Sequence, residues 1–247
     1  STRMIPQKTD PAPPSGGAPL GPPSMRIDPV IFRQYDIRGI VGRDLTPAVA
    51  RAVGLAVGSE ARERLGRTPL LAVGRDNRPS GPELLGALTE GLLATGATVF
   101  SVELVPTPAL YFAIHHLGAD GGVQVTGSHN PPEFNGLKMV LGGLPFAGED
   151  IQGLRRRIEA DRFASGQGTV STHDVLDAYR AEIVRRIGKL ERPVRVVVDC
   201  GNGTGSVAAP QLLRELWAEV IELFCESDGT FPNHHPDPTV LENLHDL

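Results

Sequence analysis

Short apolar runs alternate along the chain with segments whose apolar positions recur every three or four residues. The first kind reads as buried strand and the second as amphipathic helix. Leu70–Val73 is such a run, ending at Gly74-Arg75-Asp76. Ser80-Gly81-Pro82-Glu83 has the form of a capping box with proline in the first turn, opening a helix that carries Leu84, Leu85, Leu88 and Leu92. Gly96 stops that helix, and Thr98–Leu104 follows as a strand. Thr107-Pro108 starts a helix through Ile114, and Gly122–Thr126 supplies the next strand. Strand, helix, strand, helix, strand is the order of an α/β sheet with parallel pairs.

The pattern then begins again. After a helix at about Asp150–Ala160, the polar, glycine-containing stretch Phe163–Ser171 reads as a domain boundary. A helix over Val175–Ile187, a strand over Val194–Asp199, a Gly-rich loop, a helix over Ala208–Trp217 and a strand over Val220–Phe224 follow. The expected class is α/β, in two units that share a βαβ plan without a close residue-level repeat. The boundaries fall at 26–173 and 174–247. Residues 1–25 stand apart: they hold seven of the 22 prolines and no aromatic residue, a composition that reads as disordered.

Composition narrows the function. Of 247 residues 40% are hydrophobic and 21% charged, enough for a sizeable core, and the net charge of −5 argues against a nucleic-acid or anionic-membrane surface. No apolar run approaches the ~20 residues of a membrane span, and the N-terminal stretch has no signal-peptide core. Two cysteines, Cys200 and Cys225, make neither a disulfide framework nor a zinc-finger pattern, and read as buried thiols at strand ends. The expectation is a soluble cytoplasmic protein.

The most informative segment is Val125-Thr126-Gly127-Ser128-His129-Asn130-Pro131-Pro132. Glycine permits a tight turn and the prolines stiffen its exit, holding Ser128 at a strand's carboxyl end, where open α/β sheets bind ligands. An ordinary turn has the same composition. A hydrolase elbow does not fit, because Thr126 and Asn130 stand where G-x-S-x-G needs glycine, and His129 adjoins Ser128 too closely to serve as its base. A serine without a base can instead carry a phosphoryl group beside cations. Lys138 lies within reach if Asn135–Val140 folds back as a strand. In Phe32–Gly39, Arg38 offers a guanidinium fork for phosphate and Tyr35 a hydroxyl, or Asp36 and Arg38 form an ion pair on an edge strand. Asp199–Gly205 lacks both G-x-G-x-x-G and G-K-[ST], so a nucleotide site is disfavoured, although its amides suit an anion. His234-His235 lies in a proline-locked loop without metal-ligand spacing, and Arg155-Arg156-Arg157 reads as a solvated face.

Taken together these segments resemble the α-D-phosphohexomutases, in particular the bacterial phosphomannomutase/phosphoglucomutase group. The likeness runs in family order over residues 27–247: Phe32–Gly39, Val73–Asp76, Val105-Pro106-Thr107-Pro108, Thr126–Pro132 with Asn135–Lys138, Val197–Gly203 and Phe231–Pro238. Gly127, where phosphoglucosamine mutases carry alanine, favours the mannose/glucose group; phosphoglucosamine mutase is the alternative enzyme, and a non-enzymatic sugar-phosphate-binding module the alternative class. The resemblance implies reversible phosphate transfer between O1 and O6 of mannose and glucose phosphates through a 1,6-bisphosphate. It implies Ser128 as phosphoryl carrier and, through its phosphate, a ligand of Mg²⁺. Lys138 and Arg38 are then the catalytic cations, with Tyr35, His129 and Asn130 binding substrate, and glucose 1,6-bisphosphate is the primer. It further implies α/β/α domains with mixed, largely parallel sheets in a four-domain chain. On that plan the second domain here is incomplete, the metal loop D-G-D-x-D-R belongs shortly after Leu247, and these 247 residues alone are expected to have little activity.

Overall fold

The computed structural model describes residues 27–247; the proline-rich stretch 1–25 lies outside the described residues. The first unit runs β1 (Ile37–Ile40), α1 (Pro47–Leu65), β2 (Leu70–Arg75), α2 (Gly81–Ala94), β3 (Thr98–Leu104), α3 (Thr107–His116), β4 (Gly121–Val125), β5 (Phe134–Leu141), β6 (Leu144–Pro145), α4 (Glu149–Glu159) and β7 (Thr169–Thr172). Its mixed sheet has the order β1-β5-β4-β2-β3-β7, with β6 beside β5. β4, β2, β3 and β7 are parallel, while β5 returns antiparallel to β4 and pairs with β1. The second unit is α5 (Leu176–Ile187), β8 (Val194–Asp199), α6 (Ala209–Glu215) and β9 (Ala218–Leu223), with β8 parallel to β9 across the α6 crossover.

Alternation along the strands fills both faces. Leu71, Val73, Val123, Val125 and Leu137 face α1, α2 and α4, packing on Val53, Leu88, Leu92 and Leu154. Ala72 and Val102 face α3, with Leu110, Ala113 and Ile114, and Val175 seals that layer from the start of α5. The result is an α/β/α sandwich whose central parallel strands end together. The loops after β2 and β4 and the Val105-Pro106 turn after β3 therefore gather at one sheet edge.

Packing departs from the local sequence pattern in several places. The helix α1 has no counterpart in the hydrophobic pattern, because its Ala, Gly and Val residues are buried on nearly every side and leave little polar contrast. Ser80 does not close a capping box: its backbone is helical, it makes no side-chain cap bond, and its Oγ accepts from Asn135 Nδ2 at 2.9 Å instead. The end of the polar stretch Phe163–Ser171 belongs to the first sheet, since Thr169–Thr172 adds to β3 as an edge strand and Gly168 packs on the Ala97 carbonyl. Arg157 also leaves the solvated face, bridging from α4 to Glu60 (2.7 Å) and Glu63 (2.6 Å) on α1.

α1 and α2 approach so closely that glycine is required at their crossing. A Cβ on Gly54 would lie 2.2 Å from the Leu88 carbonyl oxygen, and one on Gly91 would lie 2.1 Å from that of Arg51. Gly91→Ala is expected to force the helices apart and to destabilise the chain by about 1–3 kcal/mol, read from chemical denaturation. An unchanged midpoint would contradict this packing.

Candidate active site

The loop after β4 is built around a buried cation that sequence reasoning missed. Arg78, on the turn between β2 and α2, is 1% exposed. Its Nη1 donates to the carbonyls of Pro131 (2.6 Å) and Phe134 (3.0 Å), and its Nη2 to those of Ser128 (3.0 Å) and Asn130 (2.7 Å). Nε donates to Asp76 Oδ2 at 3.1 Å, so all five N–H donors have acceptors. Asp76 in turn accepts from Thr126 Oγ1 (2.8 Å) and the Gly127 amide (3.1 Å). Burial pulls the Arg78 guanidinium below its ordinary range, and Asp76 counters by holding it charged. Gly127 lies hard against this group; a Cβ there would sit 2.3 Å from the guanidinium carbon.

This clamp presents Ser128 in an unusual backbone. Its φ is +55°, the left-handed region that L-residues with a side chain rarely occupy, and its amide donates to Thr126 Oγ1 at 3.0 Å. Asn130 Nδ2 donates to the Gly127 carbonyl at 3.0 Å and tightens the same turn. β5 folds back beside β4 with Lys138 opposite Gln124, which sets the lysine near the serine loop.

The structure brings some of the candidate residues together and sets others apart. Ser128, His129 and Lys138 line a cleft of about 560 Å³ between the two units. Its far wall carries Cys200, Gly203, Thr204, Phe231 and Pro236. Arg38 lies behind the loop: it is buried, pairs with Asp36 and donates from Nη1 to the Gly127 carbonyl at 3.0 Å. The ion pair of Asp36 and Arg38 on the edge strand is present, and the rest of the guanidinium holds the Gly127 carbonyl of the serine loop. Lys138 Nζ is 3.5 Å from the same Asp36 carboxylate. Tyr35 is 72% exposed and does not line the cleft. His129 points away from Ser128, with Nδ1 2.9 Å from the Pro236 carbonyl, so it joins the two units.

The Gly-rich loop is held by a second pairing. His234 Nε2 is 2.9 Å from Asp199 Oδ2, and Gly201 donates its amide to Asp199 Oδ1 at 2.7 Å. Burial alone would lower the His234 pKa, but the His235 carbonyl and the Asp199 carboxylate outweigh it and raise the pKa above 6.5. Cys200 and Cys225 are half-buried, with sulfurs 3.0 Å apart. Burial, reinforced by Cys225, pushes the Cys200 thiol well above its ordinary range. A larger groove of about 770 Å³ separates α3 from α5, lined by Tyr111, Phe112, Tyr179 and Ile183, but Glu182 there is already paired to Arg185 and Arg186. Among the described residues no helix is long and apolar enough to cross a membrane.

The fold and the clamped serine loop match a known family. The pattern described as phosphoglucomutase/phosphomannomutase, alpha/beta/alpha domain I, matches residues 29–165, and that of alpha/beta/alpha domain II matches residues 177–247. The chain belongs to the phosphoglucomutase/phosphomannomutase family. It is 52% identical over 217 residues to the phosphomannomutase/phosphoglucomutase of Pseudomonas aeruginosa, a match spanning 88% of this chain and 46% of that protein. It is 49% identical over 219 residues to the phosphoglucomutase of Neisseria gonorrhoeae, across 88% of this chain and 47% of the relative. A crystal structure of a phosphoglucomutase/phosphomannomutase family protein from Burkholderia thailandensis superposes with a TM-score of 0.85 at 48% identity, covering 90% of this chain and 49% of that one. The chain thus spans about half the length of the relatives it matches.

Two outcomes test the site's construction. Arg78→Met keeps the bulk but removes the donors and strands Asp76, and is expected to cost about 3–5 kcal/mol in chemical denaturation; a loss below ~1 kcal/mol would contradict the clamp. His234 should titrate above 6.5 by NMR and move down in Asp199→Asn. Since its folded pKa is raised, its stabilisation is full below about 6.5 and lost as pH rises through the folded value. A midpoint at or below 6.5 would contradict the pairing.

Proposed function

We propose that this chain forms the phosphoserine half of a phosphohexomutase that moves phosphate reversibly between O1 and O6 of mannose and glucose phosphates. The observation that carries the reading is Ser128: a left-handed serine at the carboxyl edge of a parallel sheet, held by Asp76 and Arg78 and sharing a cleft with Lys138. In the first transfer the P–Oγ bond of phosphoserine breaks, a P–O bond to the free sugar hydroxyl forms, and the proton of that hydroxyl ends on the freed Ser128 Oγ. The bisphosphate turns over in the cleft and returns its other phosphate to Ser128 Oγ. A serine that arrives already phosphorylated needs no adjacent base, which agrees with His129 facing Pro236.

Lys138 and Arg38 have the role of stabilising charge around the transferring group, with Lys138 on the cleft side and Arg38 behind the loop. Asp36, shared by both, holds the two cations near one another. In this reading His129 and Asn130 shape the pocket from the serine loop, while Tyr35, exposed and outside the cleft lining, is given no contact. The Mg²⁺ of the family is a separate matter: among the described residues no three His, Cys, Asp or Glu side chains converge as a metal site. The described residues do not by themselves fit that ion, and no step above is routed through it; the phosphate on Ser128 is the one ligand we assign. Domains at 26–173 and 174–247, glucose 1,6-bisphosphate as primer and a cytoplasmic place of work complete the reading.

The test is intact-mass analysis of the full-length mutase that this reading implies, incubated with glucose 1,6-bisphosphate, beside coupled assays of it on mannose 1-, glucose 1- and glucosamine 1-phosphate. One phosphate should load on the unsubstituted protein and none on Ser128→Ala. Lys138→Ala should lower turnover on the order of 10²-fold. Full turnover in Ser128→Ala, or a preference for glucosamine 1-phosphate, would overturn the assignment.

A further inference from the structure

Asp76 and Arg78 both hold the serine loop, yet the side chain between them turns the other way. Asn77 makes its hydrogen bonds to the second unit. Its amide donates to Thr204 Oγ1 at 3.0 Å, and that hydroxyl donates back to Asn77 Oδ1 at 3.2 Å. Its Nδ2 donates to the Asn202 carbonyl at 2.6 Å and to Ser227 Oγ at 3.0 Å. The receiving surface is itself organised. Asn202 is buried with φ +57°, and its carbonyl also accepts the Asp228 amide at 2.9 Å. Gly229 closes against the turn so tightly that a Cβ would lie 2.2 Å from the Asn77 carbonyl oxygen and 2.7 Å from Arg78 Cα. The Phe231 ring covers the Arg78 guanidinium at 5.2 Å.

We propose that Asn77 is a positioning residue that docks the second unit onto the turn clamping Ser128, so that the width of the cleft and the geometry of the serine loop are set together. Three consecutive residues divide the work. Asp76 fixes the start of the loop, Arg78 fixes its middle and end, and Asn77 fixes the opposite wall, through Thr204 and the Asn202 carbonyl, to the same piece of backbone. Because these bonds share one turn, loosening the far wall is felt at the loop without any change in the loop's own residues. The catalytic consequence rests on the reading of Ser128 as phosphoryl carrier: a wall that drifts holds the hexose phosphate and the bisphosphate less well.

The experiment compares the intact protein with Asn77→Ala, Gly229→Ala, Thr204→Val and the Asn77→Ala/Thr204→Val pair. Hydrogen exchange is followed in residues 126–136, 199–205 and the α1–α2 pair. Loss of the clasp should speed exchange about tenfold in both loops, as expected for losing one or two net hydrogen bonds, and leave α1–α2 unchanged. Asn77→Ala and Thr204→Val should be non-additive, since each removes the same contact. In assays KM for the hexose phosphate should rise with Ser128 still accepting phosphate. Gly229→Ala, which alters no polar group, keeps the test open if Asn77→Ala folds poorly. Unchanged exchange at 126–136 in folded variants, equal acceleration in α1–α2, or strict additivity would overturn the proposal. Failure of Ser128 to take phosphate would sink the functional reading instead, leaving the clasp to be judged on exchange alone.

Discussion

A guanidinium taken out of water must find an acceptor for each of its five N–H groups, and Arg78 meets that demand with one carboxylate and four backbone carbonyls from a seven-residue stretch. The demand dictates shape. The carbonyls of Ser128, Asn130, Pro131 and Phe134 must converge on one plane, and a loop with that many inward carbonyls has few backbone paths open to it. The left-handed Ser128 is one consequence. Strain of roughly 1–3 kcal/mol at such a residue persists only where surrounding bonds over-determine it, and here they do. Gly127 is another, since any side chain there meets the guanidinium.

The same cation explains why the site belongs to two units at once. Its near face holds the serine loop, its far face is covered by Phe231, and the neighbouring Asn77 anchors the Gly-rich loop. Lys138 reaches the cleft through the β4–β5 register, and Asp36 ties it to Arg38. Three cations, Lys138, Arg38 and Arg78, are thus gathered at the serine loop with two carboxylates, Asp36 and Asp76, an arrangement that favours the proposed phosphoryl carrier over a base-activated hydrolytic nucleophile. About half of each matched relative lies beyond the part aligned with this chain.

Legibility in the sequence followed the strength of the physical contrast. β2 and β4 are buried almost throughout and β3 sets buried valines between turn signals, so the existence of all three was readable. The fold-back of Asn135–Val140 was readable as a condition and is met by β5. α1 was not, because glycine and alanine bury a helix without giving it an amphipathic stripe. β7 was not, because an exposed edge strand of threonine, valine and serine has no alternation to show. Ser128, Lys138 and Arg38 were visible by residue type and by resemblance. Arg78 was invisible, since an arginine in a polar turn reads as solvated; the only hint was Asp76 two residues before it, at the end of a buried strand. Asn77 carried no signal at all, because its partners lie more than a hundred residues away.

The central claim is that the Arg78 clamp shapes Ser128 for phosphate. Labelled phosphate transferred from glucose 1,6-bisphosphate to the intact protein, timed for the unsubstituted form and for Arg78→Lys at equal folded fraction, tests it most directly. Lysine keeps the charge but lacks the fork that gathers four carbonyls. The account predicts labelling confined to Ser128 in both proteins and slowed on the order of 10²-fold in Arg78→Lys. Equal rates in the two folded proteins, or label on another residue, would contradict it.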